Sequence, residues 1–158
     1  MSKKDYPRRD LSSDDYPSDL WILEMFKGWY DPCPLLLKED VLVRNGLDTE
    51  WWNQRHIYVN PPYSEPHLWV EKALNELFKA NMEGKPYTCV MLLKHDSSTR
   101  WFRALHEAGA HMMLISERLS FQTGKPCAFP SLMAVISNAS ETQVYGLPFM
   151  SVISNASE

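Results

Sequence analysis

Residues 87–93 (YTCVMLL) constrain the fold more than any other stretch of this chain. Seven residues pass without a charge before Lys94. A run of strand length without polar alternation has no face for water, as in a parallel strand covered on both sides. The cover must come from helices, and suitable helices flank the run. From Glu65 to Gly84, the residues Leu68, Val70, Ala73, Leu74, Leu77 and Phe78 recur at helical spacing, and residues 99–108 form a second helix ending near Gly109. His56-Ile57-Tyr58-Val59 is a compact strand ahead of the first helix; residues 111–115, extensible to Phe121, and residues 132–136 are strands after the second. Strands alternating with helices of this length describe an α/β chain, a three-layer sandwich around a mostly parallel sheet.

Upstream the punctuation is denser. Ser18-Asp19 reads as a helix N-cap ahead of Leu20, Trp21, Leu23, Met25 and Phe26, with Gly28 closing the helix. Trp29-Tyr30 leads into a short strand stopped by Asp31-Pro32-Cys33-Pro34. Residues 35–48 stay open between strand and loop: Val41-Leu42-Val43 suits a strand and Arg44-Asn45-Gly46 a turn. Residues 1–14 carry four basic residues among Asp, Pro and Ser, the composition of a flexible arm. Residues 15–158 then make one minimal domain.

Composition narrows the function. With 44% hydrophobic and 23% charged residues the chain can bury a core, so wholesale disorder is excluded. A net charge of −4 argues against a tail-driven nucleic-acid binder but leaves room for one local basic patch. Residues 94–125 supply such a patch, with Lys94, Arg100, Arg103, Arg118 and Lys125 outnumbering Asp96, Glu107 and Glu117 by two. Three scattered cysteines (Cys33, Cys89, Cys127) without a CxxC pair make neither a disulfide framework nor a zinc site. No apolar run approaches the roughly 20 residues of a membrane span, and the first residues lack a signal-peptide core, so the expected location is the cytoplasm.

Asn60-Pro61-Pro62-Tyr63, directly after the strand IYV, carries the chemistry. In an α/β sheet ligands gather where strands end. Two prolines lock φ and remove two backbone donors, so the local carbonyls lack nearby partners. The Asn60 side-chain oxygen and the Pro61 carbonyl can then both accept from one exocyclic amine, while Tyr63 offers a ring on which a planar group stacks. Pulling both N–H bonds localises the nitrogen lone pair towards a methyl donor. The ammonium product is acidic enough to lose its proton without a strong base. The plain alternative is a Pro-rich turn after a strand.

The whole stretch resembles the phage-type DNA N-6-adenine methyltransferase (Dam) family, a branch of the Rossmann-like methyltransferases. The resemblance runs through Tyr30-Asp31-Pro32-Cys33, Asn45-Gly46-Leu47-Asp48, Trp52, Tyr58 to Ser64, Trp69 to Ala73, Thr99 to Phe102, Glu117 to Phe121 and Ala128 to Ser131, and covers roughly residues 16–137. It implies a Rossmann-like methyltransferase fold and methyl transfer from S-adenosyl-L-methionine to the exocyclic amine (N-6) of adenine in DNA. By position, Asn60, Pro61, Pro62 and Tyr63 would be catalytic. The base would be flipped out of the duplex or offered by single-stranded DNA. Asp31, Pro32, Cys33 and Asp48, with Tyr16 and Pro17, would hold the donor. The plain alternatives are a turn cap for Asp31 and a solvated loop acid for Asp48. Ser64, Lys94, Arg100 and Arg118 are the DNA-binding candidates.

The sequence departs from the usual pattern in two ways. Pro32-Cys33-Pro34 stands where many methyltransferases carry a Gly-rich loop, and only 28 residues separate Asp31 from Asn60. The sheet must therefore be shortened, and a partner chain, as in a homodimer, could complete the donor wall. Three other readings stay open: an RNA base amine as acceptor, a protein glutamine amide as acceptor, or a non-catalytic DNA-binding relic. Residues 133–141 and 150–158 agree at eight of nine positions, and this repeat has no functional account.

Overall fold

The structure, a computed structural model, describes residues 17–34, 46–122 and 124–145. Two short helices bracket the fold, α1 (Leu20–Met25) and α4 (Glu141–Tyr145). Between them the apolar runs become strands: β1 (His56–Val59), β2 (Thr88–Lys94), β3 (His111–Leu114) and β4 (Ser131–Ser137). The helical periodicity becomes α2 (Pro66–Met82), with proline where a missing N–H is harmless. α3 (Arg100–Glu107) follows Thr99, whose hydroxyl accepts from the Phe102 N–H as an N-cap. A 3-10 turn, Gly46–Asp48, precedes β1. The proposed Trp29-Tyr30 strand reduces to a single parallel bridge from Tyr30 to Ile57 on the outer edge of β1.

The sheet order is β1-β2-β4-β3. Only the β1–β2 ladder is parallel; β4 runs antiparallel to both β2 and β3. The mostly parallel sheet expected from the sequence is thus corrected to a mixed one. The cause lies in the connection between β3 and β4. Parallel re-entry needs a crossover, usually a helix, and the described residues between Leu114 and Ser131 contain none. The chain therefore turns back at the rim where β3 ends and enters reversed between β2 and β3. β1, β2 and β3 all end on that rim, and β4 begins there.

Alternation along the strands divides the core into two packed faces. Ile57, Val59, Cys89, Met91, Leu93, Leu132 and Ala134 face α2 and α3, meeting Trp69, Val70, Ala73 and Leu105. Tyr58, Val90, Leu92, Met133 and Val135 face the other side, under Ile22 of α1 and Phe26 just after it, Leu119 and Phe121, and Val144 of α4. The sandwich has three layers. Among the described residues no helix is long and apolar enough to cross a membrane. The first copy of the C-terminal repeat runs along β4 and into α4, while the second copy, the 1–14 arm, Tyr16 and Val41-Leu42-Val43 lie outside the described residues.

Candidate active site

Parity and pairing decide what surrounds Asn60. It follows β1 and shares the parity of Tyr58, so it emerges on the α1 side of the sheet. Its Nδ2 donates to Ser18 Oγ at 3.1 Å. Ser18 is 4% exposed, and its hydroxyl is also hydrogen-bonded to the Tyr58 hydroxyl. Burial keeps the Tyr58 phenol far above its ordinary pKa, and the Asp31 and Asp19 carboxylates near it act in the same direction. Phe26 stacks on the Tyr58 ring at 4.5 Å. The pair read as a helix N-cap therefore does something else. Asp19 makes no side-chain capping bond to α1. Its carboxylate instead accepts from the backbone N–H of Ser120 at 3.2 Å, and Gln122 Nε2 donates to the Ser18 carbonyl at 2.7 Å.

Pro61 is buried and Pro62 partly so, as suits a rigid turn leaving β1. Tyr63 belongs to an aromatic cluster, edge-on to Phe129 at 5.0 Å and to Phe121 at 6.1 Å. Phe121 is 1% exposed and, with Gln122, has positive φ (49° and 62°), a conformation that non-glycine residues adopt only when their surroundings hold them there. Lys94, at the end of β2, carries its Nζ 5.4 Å from the Phe129 ring centroid. Ser64 is exposed beside Tyr63, Arg100 opens α3 beyond the end of β2, and Arg118 lies in the segment after β3. All four DNA-binding candidates are exposed and follow elements that end on the same rim.

A cleft of about 520 Å³ adjoins the outer edge of β1, lined by Tyr30, Asp31, Pro32, Pro34, Gly46, Asp48, Thr49, Glu50, Asn53 and Gln54. The structure brings Asp31, Pro32 and Asp48 together there. Cys33 is not among the lining residues; it packs against the α2-side core and donates its backbone N–H to Asp31 Oδ1 at 2.9 Å. Asp31 is thus both a turn cap and a cleft residue. Pro17 is not in the lining either; it adjoins Ser18. From sequence, Tyr30 is named only within the resemblance, not as a site residue, and Thr49 and Asn53 are not singled out. The Tyr30 hydroxyl meets Thr49 Oγ1 at 2.8 Å, tying the two walls together. They also meet at Gly46, where an added Cβ would lie 1.8 Å from the Pro32 carbonyl oxygen. Only glycine permits that approach.

Among the described residues, three carboxylates and no Lys or Arg line this cleft, a surface suited to a cation. Burial pushes the Asp31 pKa up to about 6, partly offset by the Cys33 N–H bond. The unfolded chain loses this proton near the ordinary value of 3.8, while the folded chain holds it to about 6. Folding stability is therefore greatest with respect to Asp31 below pH 4 and falls as pH rises through that window. Asp31→Asn keeps an acceptor for Cys33 and removes the buried charge. We expect it to stabilise the protein at pH 7 by on the order of 2 kcal/mol and to leave stability at pH 4 unchanged, as read from denaturant titrations at the two pH values.

The family described as DNA N-6-adenine-methyltransferase (Dam) matches residues 40–148. A protein of Escherichia phage T1 named DNA N-6-adenine-methyltransferase is 32% identical over 127 residues, covering 71% of this chain and 51% of its own. A protein of the same name from Haemophilus phage HP1 (strain HP1c1) is 41% identical over 112 residues, covering 65% of this chain and 61% of its own. This chain spans between half and two thirds of the length of these relatives, and no solved structure matches it. With well over half its length matched, the chain belongs to the DNA N-6-adenine-methyltransferase (Dam) family.

Proposed function

We propose that the protein transfers a methyl group from S-adenosyl-L-methionine to the N-6 amine of adenine in DNA. The observation that carries this reading is a pair of features on one strand: Asn60, bonded to Ser18, at the end of β1, and a cleft along the outer edge of β1 whose lining charges among the described residues are all negative. The common direction of β1, β2 and β3, with helices on both faces, supports a Rossmann-like arrangement with ligands at the strand ends. The donor carries a sulfonium and an ammonium against one carboxylate, so its net positive charge fits an acidic cleft, and it has no phosphate that would need a Gly-rich cradle.

The protein's own groups then have simple tasks. Asn60 Oδ1 and the Pro61 carbonyl accept the two N–H bonds of the target amine and turn its lone pair towards the donor. Tyr63, backed by Phe129 and Phe121, provides a face for the base. Asp31 and Asp48 hold the positive donor, and Lys94, Arg100, Arg118 and Ser64 track the DNA backbone. A base held this way must leave the stack, so single-stranded DNA serves better than duplex.

Labelled S-adenosyl-L-methionine offered with DNA, RNA and protein in parallel tests the reading. Label in N-6-methyladenine of DNA is the expected product; label in protein alone overturns it. The cleft assignment has its own test in calorimetry across pH. Donor affinity is expected to be constant above pH 7 and to fall about tenfold per pH unit below 6, as the Asp31 carboxylate takes up its proton. A flat profile from pH 5 to 8 would remove Asp31 from the donor site.

A further inference from the structure

The amide of Asn60 can serve as an acceptor only if its oxygen, and not its nitrogen, faces the target amine. The two ends of a side-chain amide have nearly the same shape, so packing alone barely distinguishes them. Hydrogen-bond polarity does, and one partner of this amide is a residue 42 positions earlier. Ser18 Oγ receives one N–H of Asn60 Nδ2 and is bonded to the Tyr58 hydroxyl.

Resting on the function proposed above, we propose that Ser18 is a positioning residue that fixes which end of the Asn60 amide faces the substrate. A serine has one proton to give. Given to the Tyr58 oxygen, it leaves only lone pairs towards Asn60, and lone pairs select the amide nitrogen. The carboxyamide oxygen is then on the opposite branch of the planar group. Were the Ser18 proton turned to Asn60 instead, it would bond the oxygen, and the amine end would meet the target.

The surroundings favour the first arrangement. Ser18 Oγ and the Tyr58 hydroxyl share one buried bond, and the Asp31 and Asp19 carboxylates act electrostatically on that phenol, which favours its oxygen as acceptor for the Ser18 proton. Ser18 itself is clamped. Gln122 Nε2 holds its carbonyl at 2.7 Å, and Ser120 holds the carboxylate of Asp19. The backbone conformation of Phe121 and Gln122, both at positive φ, puts those two groups within reach of residues 18–19. The segment after β3 thus both backs Tyr63 through Phe121 and orients Asn60 through Ser18.

Three variants of the full chain test this: Ser18→Ala, Ser18→Thr and Tyr58→Phe. Each is assayed for kcat and for KM of both substrates, and the Asn60 side-chain NH2 signals are followed by NMR in isotope-labelled protein. Ser18→Ala is expected to lower kcat roughly 10–100-fold, the loss of one buried hydrogen bond, with the donor KM nearly unchanged. Tyr58→Phe, which retains the Ser18 hydroxyl but removes its proton acceptor, is expected to lower kcat in the same direction. Ser18→Thr, which restores the hydroxyl, is expected to recover most of the lost kcat. In wild type one Asn60 NH2 proton carries the shift of a hydrogen-bonded donor, and in Ser18→Ala it loses that shift.

Unchanged kcat in folded Ser18→Ala and Tyr58→Phe, or a donor KM that rises as much as kcat falls, overturns the proposal. So does an Asn60 NH2 signal indifferent to Ser18. The NH2 signals are read whether or not the wild-type protein methylates DNA, so a failure of the adenine reading is seen separately, as wild-type protein without labelled adenine.

Discussion

Asn60→Ala is expected to reduce methyl transfer to adenine by roughly 10²–10³-fold while changing donor affinity by less than about threefold. The contrast follows from position. Asn60 leaves β1 on the α1 side of the sheet, whereas the cleft assigned to the donor lies beyond the outer edge of β1 and does not include Asn60 in its lining. An acceptor that strengthens its hold only as the amine gains positive character acts on the transition state and little on the ground state. The measurement is single-turnover transfer to an adenine-containing oligonucleotide, paired with donor calorimetry. Near-normal turnover in a folded Asn60→Ala protein would show that the amide is not the acceptor. The fold should survive the change, because Asn60 stands at the turn after β1 and adds no apolar side chain to either core cluster.

The second large effect is on stability, at Glu76. This glutamate on α2 is fully buried, and its carboxylate accepts from the backbone N–H groups of Trp51 and Trp52 at 3.0 and 2.9 Å. Lys72 Nζ at 2.7 Å and Lys79 Nζ at 3.2 Å neutralise its other oxygen. Burial alone would raise its pKa, but these four bonds outweigh it and hold the carboxyl below the ordinary carboxylate range. The stability it contributes is therefore present above the unfolded value of 4.5 and is lost as pH falls through the lower folded one.

Glu76→Leu is expected to cost about 3–5 kcal/mol at pH 7, because two backbone donors are left without an acceptor in or next to the core. Lys79, half exposed, can swing into water, so its ammonium adds little to that cost, whereas Lys72, 17% exposed, adds to it. Glu76→Gln keeps an acceptor oxygen for the two N–H groups and should cost less than half as much. Equal losses in urea titrations of the two variants would mean that the ion pairs, and not the backbone bonds, hold the segment. The anchor also has a functional side. Trp51 Nε1 donates to the Gly46 carbonyl at 2.9 Å, so Glu76 fixes the strip that supplies Gly46, Asp48 and Asn53 to the cleft. Glu76→Leu should accordingly weaken donor binding although it is remote from the donor.

Much of this was legible beforehand. His56–Val59, Thr88–Lys94 and Pro66–Met82 stand within a residue or two of where periodicity put them, because apolar spacing reports directly which side of an element is covered. The turn at Asn60-Pro61-Pro62-Tyr63 was equally plain, since two prolines after a strand admit few conformations. The direction of β4 was not legible. A strand buried on both faces has the same composition whichever way it runs, and only the helix-free return from β3 reverses it.

Glu76 looks like any helix acid with lysines at i−4 and i+3, and nothing local reveals that two tryptophan amides 24 and 25 residues away converge on it. Ser18-Asp19 has the composition of an N-cap, yet its side chains are used 42 and 101 residues further along the chain. The sequence by itself determined the layers, the two buried strands and the motif at the end of β1, because these depend on hydrophobic period and on the stiffness of proline. Tertiary structure alone decided the strand directions, the acidic cleft between residues 30–34 and 46–54, and the Ser18 contact that orients Asn60. Those depend on which hydrogen-bonding groups meet across long stretches of chain, and no local pattern encodes that.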